Sequence, residues 1–454
     1  MSANAMSRTA NELIYAFRAR DVTSLDMQRA ITEWHNLYYQ KAPTEQEDPC
    51  QQIPFTIVRK LTKTTFAEYK ASGQDDFTQG VLNALDQKRN EAMQKALIGG
   101  EVKLKPVPTK NGFHFGVVSR PNILVFGRNQ DGAMTDIGTW EVTTAEAYYY
   151  TLLERRTVAP GGYLTIKNTL YRSATEGHLG QQVSLQELQQ YADLPDIYTF
   201  PQPIGSIGMA TLRTPVANCV DGSSDSVSVY AAAAGLIHNI NRNEAQLNGE
   251  FERGKSRLIV SGDLLKRDKT GRFALNDTIF VGLDDDAETI GITSFAPELR
   301  EKSFLARKQD YLRSVESIIG LKRGLLSEVE ATDRTAKEIT SSEGDYNLTV
   351  IDFQNAWEDA VKEAGKLCGV LGQLYQVPGA HEIPEEDISF DWGNGVLFDE
   401  EAAWTDMKDQ VARGLLKPEI AVGWRYGMPY ETPEDLRKIR EKYMPEVENL
   451  MGGE

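Results

Sequence analysis

From Tyr230 to Gly254 the apolar side chains return at seven-residue steps. Tyr230, Ala233, Ile237, Ile240, Leu247 and Phe251 fall on one stripe, interrupted only by Glu244. A stripe of that period belongs to a long helix lying against another helix, since a lone helix would leave it in water. Leu258 to Thr293 then reads as strand: RLIVSGDLL, a polar KRDKTGR turn, and DTIFVGLD. A second helix is expected over Pro297 to Ile319, with Phe304, Leu305, Tyr311, Leu312, Val315, Ile318 and Ile319 along one side and Pro297 suited to its first turn. The middle of the chain is therefore helix, small β module, helix. A Gly-bounded segment, Gly320 to Thr335, links it to a further helical stretch, Asn347 to Leu374, with Val350, Phe353, Trp357, Ala360, Ala364, Leu367, Leu371 and Leu374 at helical spacing.

The region before this core mixes helices and strands and ends near residue 215. Met27, Ile31, Trp34 and Leu37 predict a helix over Asp26 to Tyr39. A second is expected over Asp76 to Ala96, stopped by Gly99 and Gly100. From Glu101 to Ser173, β-rich runs are broken by Asn111-Gly112, Asp131-Gly132 and Gly161-Gly162, the turn signals of an antiparallel sheet. The fold class is α+β. The tail from His381 holds 18 acidic against 8 basic residues, yet WTDMKDQVARGLL and PEDLRKIREKYM are helical, so a folded, solvated appendage is expected.

Charge and composition exclude several functions. A formal charge of −17 argues against a protein that coats nucleic acid through a basic face. The longest small-and-apolar stretch, Tyr230 to Ile237, is too short to span a membrane, and the start has no signal-peptide pattern, so neither export nor membrane insertion is expected. Cys50, Cys219 and Cys368 are too few for a disulfide framework, and the five histidines (35, 114, 178, 238 and 381) show no ligand spacing, which fits a reducing cytosolic birthplace with no metal or cofactor.

Gly249 to Ser256 (GEFERGKS) satisfies the phosphate-loop pattern, but a phosphate loop leaves a strand and opens a helix. Here a helical pattern precedes it and a strand-like run follows. Glu250 and Glu252 would also repel a polyphosphate. Ile279 to Asp285 imitates the apolar strand and acid that would complete such a site, so a nucleotide-hydrolysing enzyme built on Gly249–Ser256 is the alternative function. Asp284, Asp285, Asp286 and Glu288 lack the alternation of a calcium loop and read as a solvated turn. Trp34, Trp357, Trp392, Trp404 and Trp424 read as core anchors, and His114 as a structural strand residue. No nucleophile–His–acid arrangement can be assembled from local sequence.

Several collinear stretches resemble the portal proteins of tailed bacteriophages, in the branch from Gram-positive siphophages. ITEWHNLYYQ (Ile31 to Gln40) is similar to the family's early I-x-x-W-x-x-L-Y helix, and Thr211 to Ala233 to its K-x-P-x-A-N-N segment and following helix start. FERGKSRLIVSGDLL (Phe251 to Leu265) resembles F-E-x-G-K-x-R-I-x-V-x-x-x-M-L, which also explains the phosphate-loop look-alike. RTAKEITSSEGD (Arg334 to Asp345) and Ile388 to Val422 resemble two further family segments in the same order.

The resemblance implies a portal fold: residues 1–229 and 336–380 as wing and supporting helix, 230–257 and 297–319 as the two stem helices, 258–296 as the clip, 320–335 as the tunnel loop and 381–454 as a helical crown. It implies a ring, usually of twelve copies, at one capsid vertex, through which double-stranded DNA is packaged by the terminase large subunit and later ejected. Further implied partners are a head–tail adaptor at the clip, the major capsid protein and the scaffold; the location is the virion, after assembly in the host cytoplasm, and no catalysis is implied. Candidate DNA-facing residues are Lys322, Arg323, Gly324, Leu325, Leu326 and Ser327 in the tunnel loop, with Lys255 and Arg257 as a basic stem–clip junction. This loop departs from the small-residue composition common in the family by carrying Lys322, Arg323, Leu325, Leu326 and Glu328. Lys322 and Arg323 are the expected basic contacts, unless they serve only to cap a helix end. The heptad faces of the stem helices are the expected inter-subunit surfaces.

Overall fold

The computed structural model describes residues 11–39, 50–253, 257–260, 265–267, 273–275, 292–295, 299–328, 336–393, 400–430 and 432–444. They divide into two compact units, Met1–Thr62 with Gly73–Ile388, and Lys63–Ser72 with Ser389–Glu454. The fold is α+β. Helix α1 (Leu25–Tyr38) starts where the Ser24 hydroxyl accepts the Met27 N–H, and it buries Met27, Ile31, Trp34 and Leu37, the predicted stripe. After α2 (Ile53–Thr65) and strand β1 (Lys70–Gly73), the helix expected over Asp76 to Ala96 is two helices, α3 (Asp76–Asp86) and α4 (Arg89–Gly99). They part because the chain tightens at Lys88, whose N–H bonds the Leu85 carbonyl three residues back. Helix α4 stops at Gly100, at φ +89°, where a Cβ would come within 2.3 Å of the Ser226 carbonyl oxygen.

The strands that follow are antiparallel and turn where the sequence predicts. A three-stranded sheet runs in the order β10 (Ala210–Arg213), β2 (Glu101–Thr109), β3 (Gly112–Ser119). A larger one runs β4 (Ile123–Arg128), β5 (Met134–Ala145), β6 (Tyr148–Val158), β7 (Tyr163–Ser173), β8 (Gln181–Val183), with β9 (Ile197–Pro203) also on β7. Ile123, Val125, Met134, Ile137, Ile207 and Met209 form one apolar core here. Charges are buried beside it. Glu101 holds Lys103 at 3.1 Å and Arg120 at 3.4 Å, all three at most 3% exposed, and Glu154 holds Arg156 at 2.7 Å and Lys105 at 2.6 Å.

Helix α5 (Ala234–Arg253), entered through a single 3-10 turn at Ala231–Ala233, and helix α6 (Glu301–Ile319) are the predicted pair. They run antiparallel: Arg300 clamps Glu250 through two nitrogens at 2.9 and 2.7 Å, and Asn243 donates to the Phe304 carbonyl at 3.0 Å. Glu244, the break in the heptad stripe, pairs with Lys308 at 2.9 Å. The stripe itself is covered within the chain. Tyr230, Ala233, Ile237, Ile240 and Leu247 are buried, Tyr230 donating its hydroxyl to the Trp34 carbonyl, and only Phe251 is exposed. On α5, against expectation, the stripe is not left for a neighbouring subunit, because the chain's own packing already covers it.

Between the two helices, β11 (Arg257–Val260) pairs with β14 (Ile292–Phe295), and β12 (Leu265–Arg267) with β13 (Phe273–Leu275). The expected DTIFVGLD strand and the Asp284–Glu288 run lie outside the described residues. Helix α7 (Ala336–Leu374) has 39 residues, about 58 Å at the helical rise, and begins well before Asn347. Val350, Phe353, Trp357, Ala360, Ala364, Leu367 and Leu371 on it are buried, as expected. In the second unit β1 pairs with β15 (Ile388–Asp391), and Trp392 packs on Tyr69 and Phe66. Among its described residues the acidic tail holds three helices, α8 (Glu400–Ala412), α9 (Pro418–Arg425) and α10 (Pro433–Tyr443). Thr432 and Asp435 close a capping box on the last of these. Among the described residues no helix is long and apolar enough to cross a membrane.

Candidate functional site

The segment after α6 is built around one carboxylate. Helix α6 ends because Gly320 adopts φ +76° and its N–H, with that of Leu321, returns to the Glu316 carbonyl. Backbone amides therefore finish the helix, and its termination does not require Lys322 and Arg323 as caps. The Glu316 side chain, fully buried, then gathers the loop. Its Oε1 accepts the N–H groups of Gly324 at 3.2 Å, Leu326 at 2.5 Å and Ser327 at 2.9 Å, and its Oε2 accepts the Ser327 hydroxyl at 2.7 Å. Four donors converging on one acceptor group satisfy a charge that burial alone would make costly.

Other elements hold the same loop from outside. Lys60 on α2 donates to the Leu325 carbonyl at 2.8 Å, Thr349 on α7 to the Gly320 carbonyl at 3.2 Å, and the Glu328 N–H bonds the Gln309 side chain at 2.8 Å. Leu321 and Ser327 are buried, Leu325 and Leu326 half-buried, and Lys322, Arg323 and Gly324 exposed. The loop is thus a fixed turn presenting two adjacent cations. Among the candidate residues, the structure places Lys322 to Ser327 in one loop. Arg257 lies on β11 opposite Phe295, its side chain outside the described residues, and Lys255 lies outside them altogether. Residues 329–335 of the expected tunnel loop also lie outside them.

Sequence reasoning missed Glu316 and Lys60. The signal for Glu316 was present: it sits four residues after Leu312 and next to Val315, inside the apolar stripe of α6, where an acid is expected only if donors meet it. The phosphate-loop pattern has the opposite architecture from the one nucleotide binding needs. Gly249 to Arg253 are the last residues of α5, and the next described residues, Arg257 to Val260, are a strand. Glu250 is committed to Arg300. Residues 254–256 lie outside the described set.

No family model matches the chain, and no curated protein matches it. Among solved structures it is similar to a chain from the neck of a native GTA particle computed with C12 symmetry. That likeness has 13% sequence identity and a TM-score of 0.46, covering 90% of this chain and 96% of the other.

Proposed function

We propose that this chain is a subunit of a ring-shaped portal channel at one vertex of a tailed-phage capsid, through which double-stranded DNA enters during packaging and leaves at ejection. The carrying observation is the order of parts. The segments that resemble the portal family follow one another as an antiparallel helix pair, a β module between the two helices, a clasped loop bearing Lys322 and Arg323, and a 39-residue helix. The terminase large subunit and the head–tail adaptor are assigned to the β module, and the major capsid protein and scaffold to the outer surface. Twelve copies is the expected number.

Two physical features support the reading. Phe251 on α5, Leu305 and Ile318 on α6, and Leu348 and Ile351 on α7 are large apolar side chains left exposed by the single chain, and a head-to-tail neighbour would cover them. A net charge of −17 suits a bore through which DNA must slide, since each neutralised phosphate adds affinity and therefore friction. Capsids assembled with the wild-type chain should shield packaged DNA from nuclease. A Lys322→Glu/Arg323→Glu variant, altered only at exposed positions, should form the same assemblies and shield roughly tenfold less, because charge near a passage scales encounter rates by that order or more. Equal protection in capsids lacking the chain would contradict the proposal.

A further inference from the structure

We propose that Asp75, His381 and Asp387 form a binding site for one divalent first-row cation, with Zn²⁺ the best fit to its mixed nitrogen and oxygen donors. The three side chains come from separate places: the N-cap of α3, the segment after α7, and the short 3-10 turn Glu385–Asp387. One ligand atom of each lies within 4.8 Å of the other two. Metal–ligand bonds of about 2.0–2.2 Å would draw these atoms together by roughly 1 Å, within the reach of side-chain rotation.

Two of the three ligands are oriented by groups outside the cluster, as metal ligands generally are. The His381 Nδ1 donates to the Gly379 carbonyl at 3.0 Å, which turns Nε2 toward the two carboxylates. Asp75 Oδ1 accepts the N–H groups of Phe77 and Thr78 at 2.9 and 3.0 Å, while Oδ2 accepts the Thr78 hydroxyl at 2.7 Å and faces Nε2 at 3.2 Å. The Gln74 N–H bonds the Asp387 carbonyl at 3.1 Å and fixes that residue beside Asp75. Among the described residues the Asp387 carboxylate accepts no hydrogen bond, although a second carboxylate stands close to it. Two such groups repel each other, and a cation between them removes that repulsion. The imidazole favours a borderline metal over Mg²⁺ or Ca²⁺. A simple His381–Asp75 ion pair would leave Asp387 without a role.

The full chain, stripped with a chelator, is titrated calorimetrically with ZnCl₂. The wild type should take up one equivalent saturably, and His381→Ala and Asp387→Asn should each weaken binding at least tenfold, the scale of disturbing a metal's ligand shell. Asp387→Asn is the deciding variant because it keeps the His381–Asp75 pair intact. No saturable uptake, or uptake unchanged in Asp387→Asn, would overturn the proposal.

Discussion

Replacing Glu316 with Ala will release the loop that carries Lys322 and Arg323 while α6 still forms. The change strips the acceptor from the amides of Gly324, Leu326 and Ser327 and from the Ser327 hydroxyl. A buried donor without a partner costs about 1–3 kcal/mol, and breaking a buried charged network costs about 3–5 kcal/mol in all. With tenfold for each 1.4 kcal/mol, hydrogen exchange at those three amides should accelerate by roughly a hundredfold or more. Glu316→Gln should fall between, since it keeps one acceptor oxygen but turns an NH₂ toward a donor. Helix α6 should hold its protection up to Gly320, whose own cap is backbone. Unchanged exchange at Gly324, Leu326 and Ser327 would mean that Lys60 and Thr349 hold the loop without the carboxylate.

The second large effect is expected at Glu101. Glu101→Leu strands Lys103, 1% exposed, and leaves Arg120 with Asp225 as its remaining acid, so a loss of about 3–5 kcal/mol is expected in denaturant unfolding. Lys103→Met should cost less than half as much, because Glu101 keeps Arg120 and the methionine fills the lysine's volume. The same cluster sets an acid limit. Burial pushes the Glu101 carboxyl up, but Lys103 and Arg120 outweigh it and hold the group at about 2; burial likewise raises Glu154, and Arg156 and Lys105 bring it to about 2. Both lie below the ordinary 4.5. A carboxylate with a depressed folded-state value contributes stability that is complete above its unfolded value and lost as pH falls toward the folded one. The loss should therefore run from about pH 4.5 down to about pH 2, on the order of 3 kcal/mol for each group. Glu101→Leu should remove one of these two contributions, and stability that stays flat across that window in the wild type would contradict the assignment.

Local spacing carried much of the fold. The stripe of α1, the hairpin turns at Asn111-Gly112, Asp131-Gly132 and Gly161-Gly162, and the pair α5 and α6 are where the pattern puts them. Periodicity states that a face is covered and is silent on what covers it, so the α5 stripe alone suggests an inter-subunit surface although Trp34 and neighbouring elements already fill it. The early start of α7 escaped because residues 336–346 carry no apolar stripe and include the weak helix formers Thr340, Ser341, Ser342, Gly344 and Asp345, so neither spacing nor propensity extends the helix there. Buried charges were the least legible. Glu101 and Lys103 stand two apart on β2 and Glu154 and Arg156 two apart on β6, so each pair looks like the polar face of an alternating strand until Arg120 from the turn after β3 and Lys105 from β2 reach them in the fold. His381 shows no ligand spacing along the chain, and only its return to the start of α3 sets it beside Asp75.

In the proposed ring, further copies cover the exposed apolar residues of α5, α6 and α7. Negative-stain imaging of the purified full-length chain, with its particle mass measured in solution, tests this most directly. Ring-shaped particles with a central hole and the mass of about twelve chains are expected, weakened by Leu305→Glu or Ile318→Glu, which place a charge where a neighbour would sit. A monodisperse monomer at every concentration and salt tested, with those two variants indistinguishable from wild type, would contradict it.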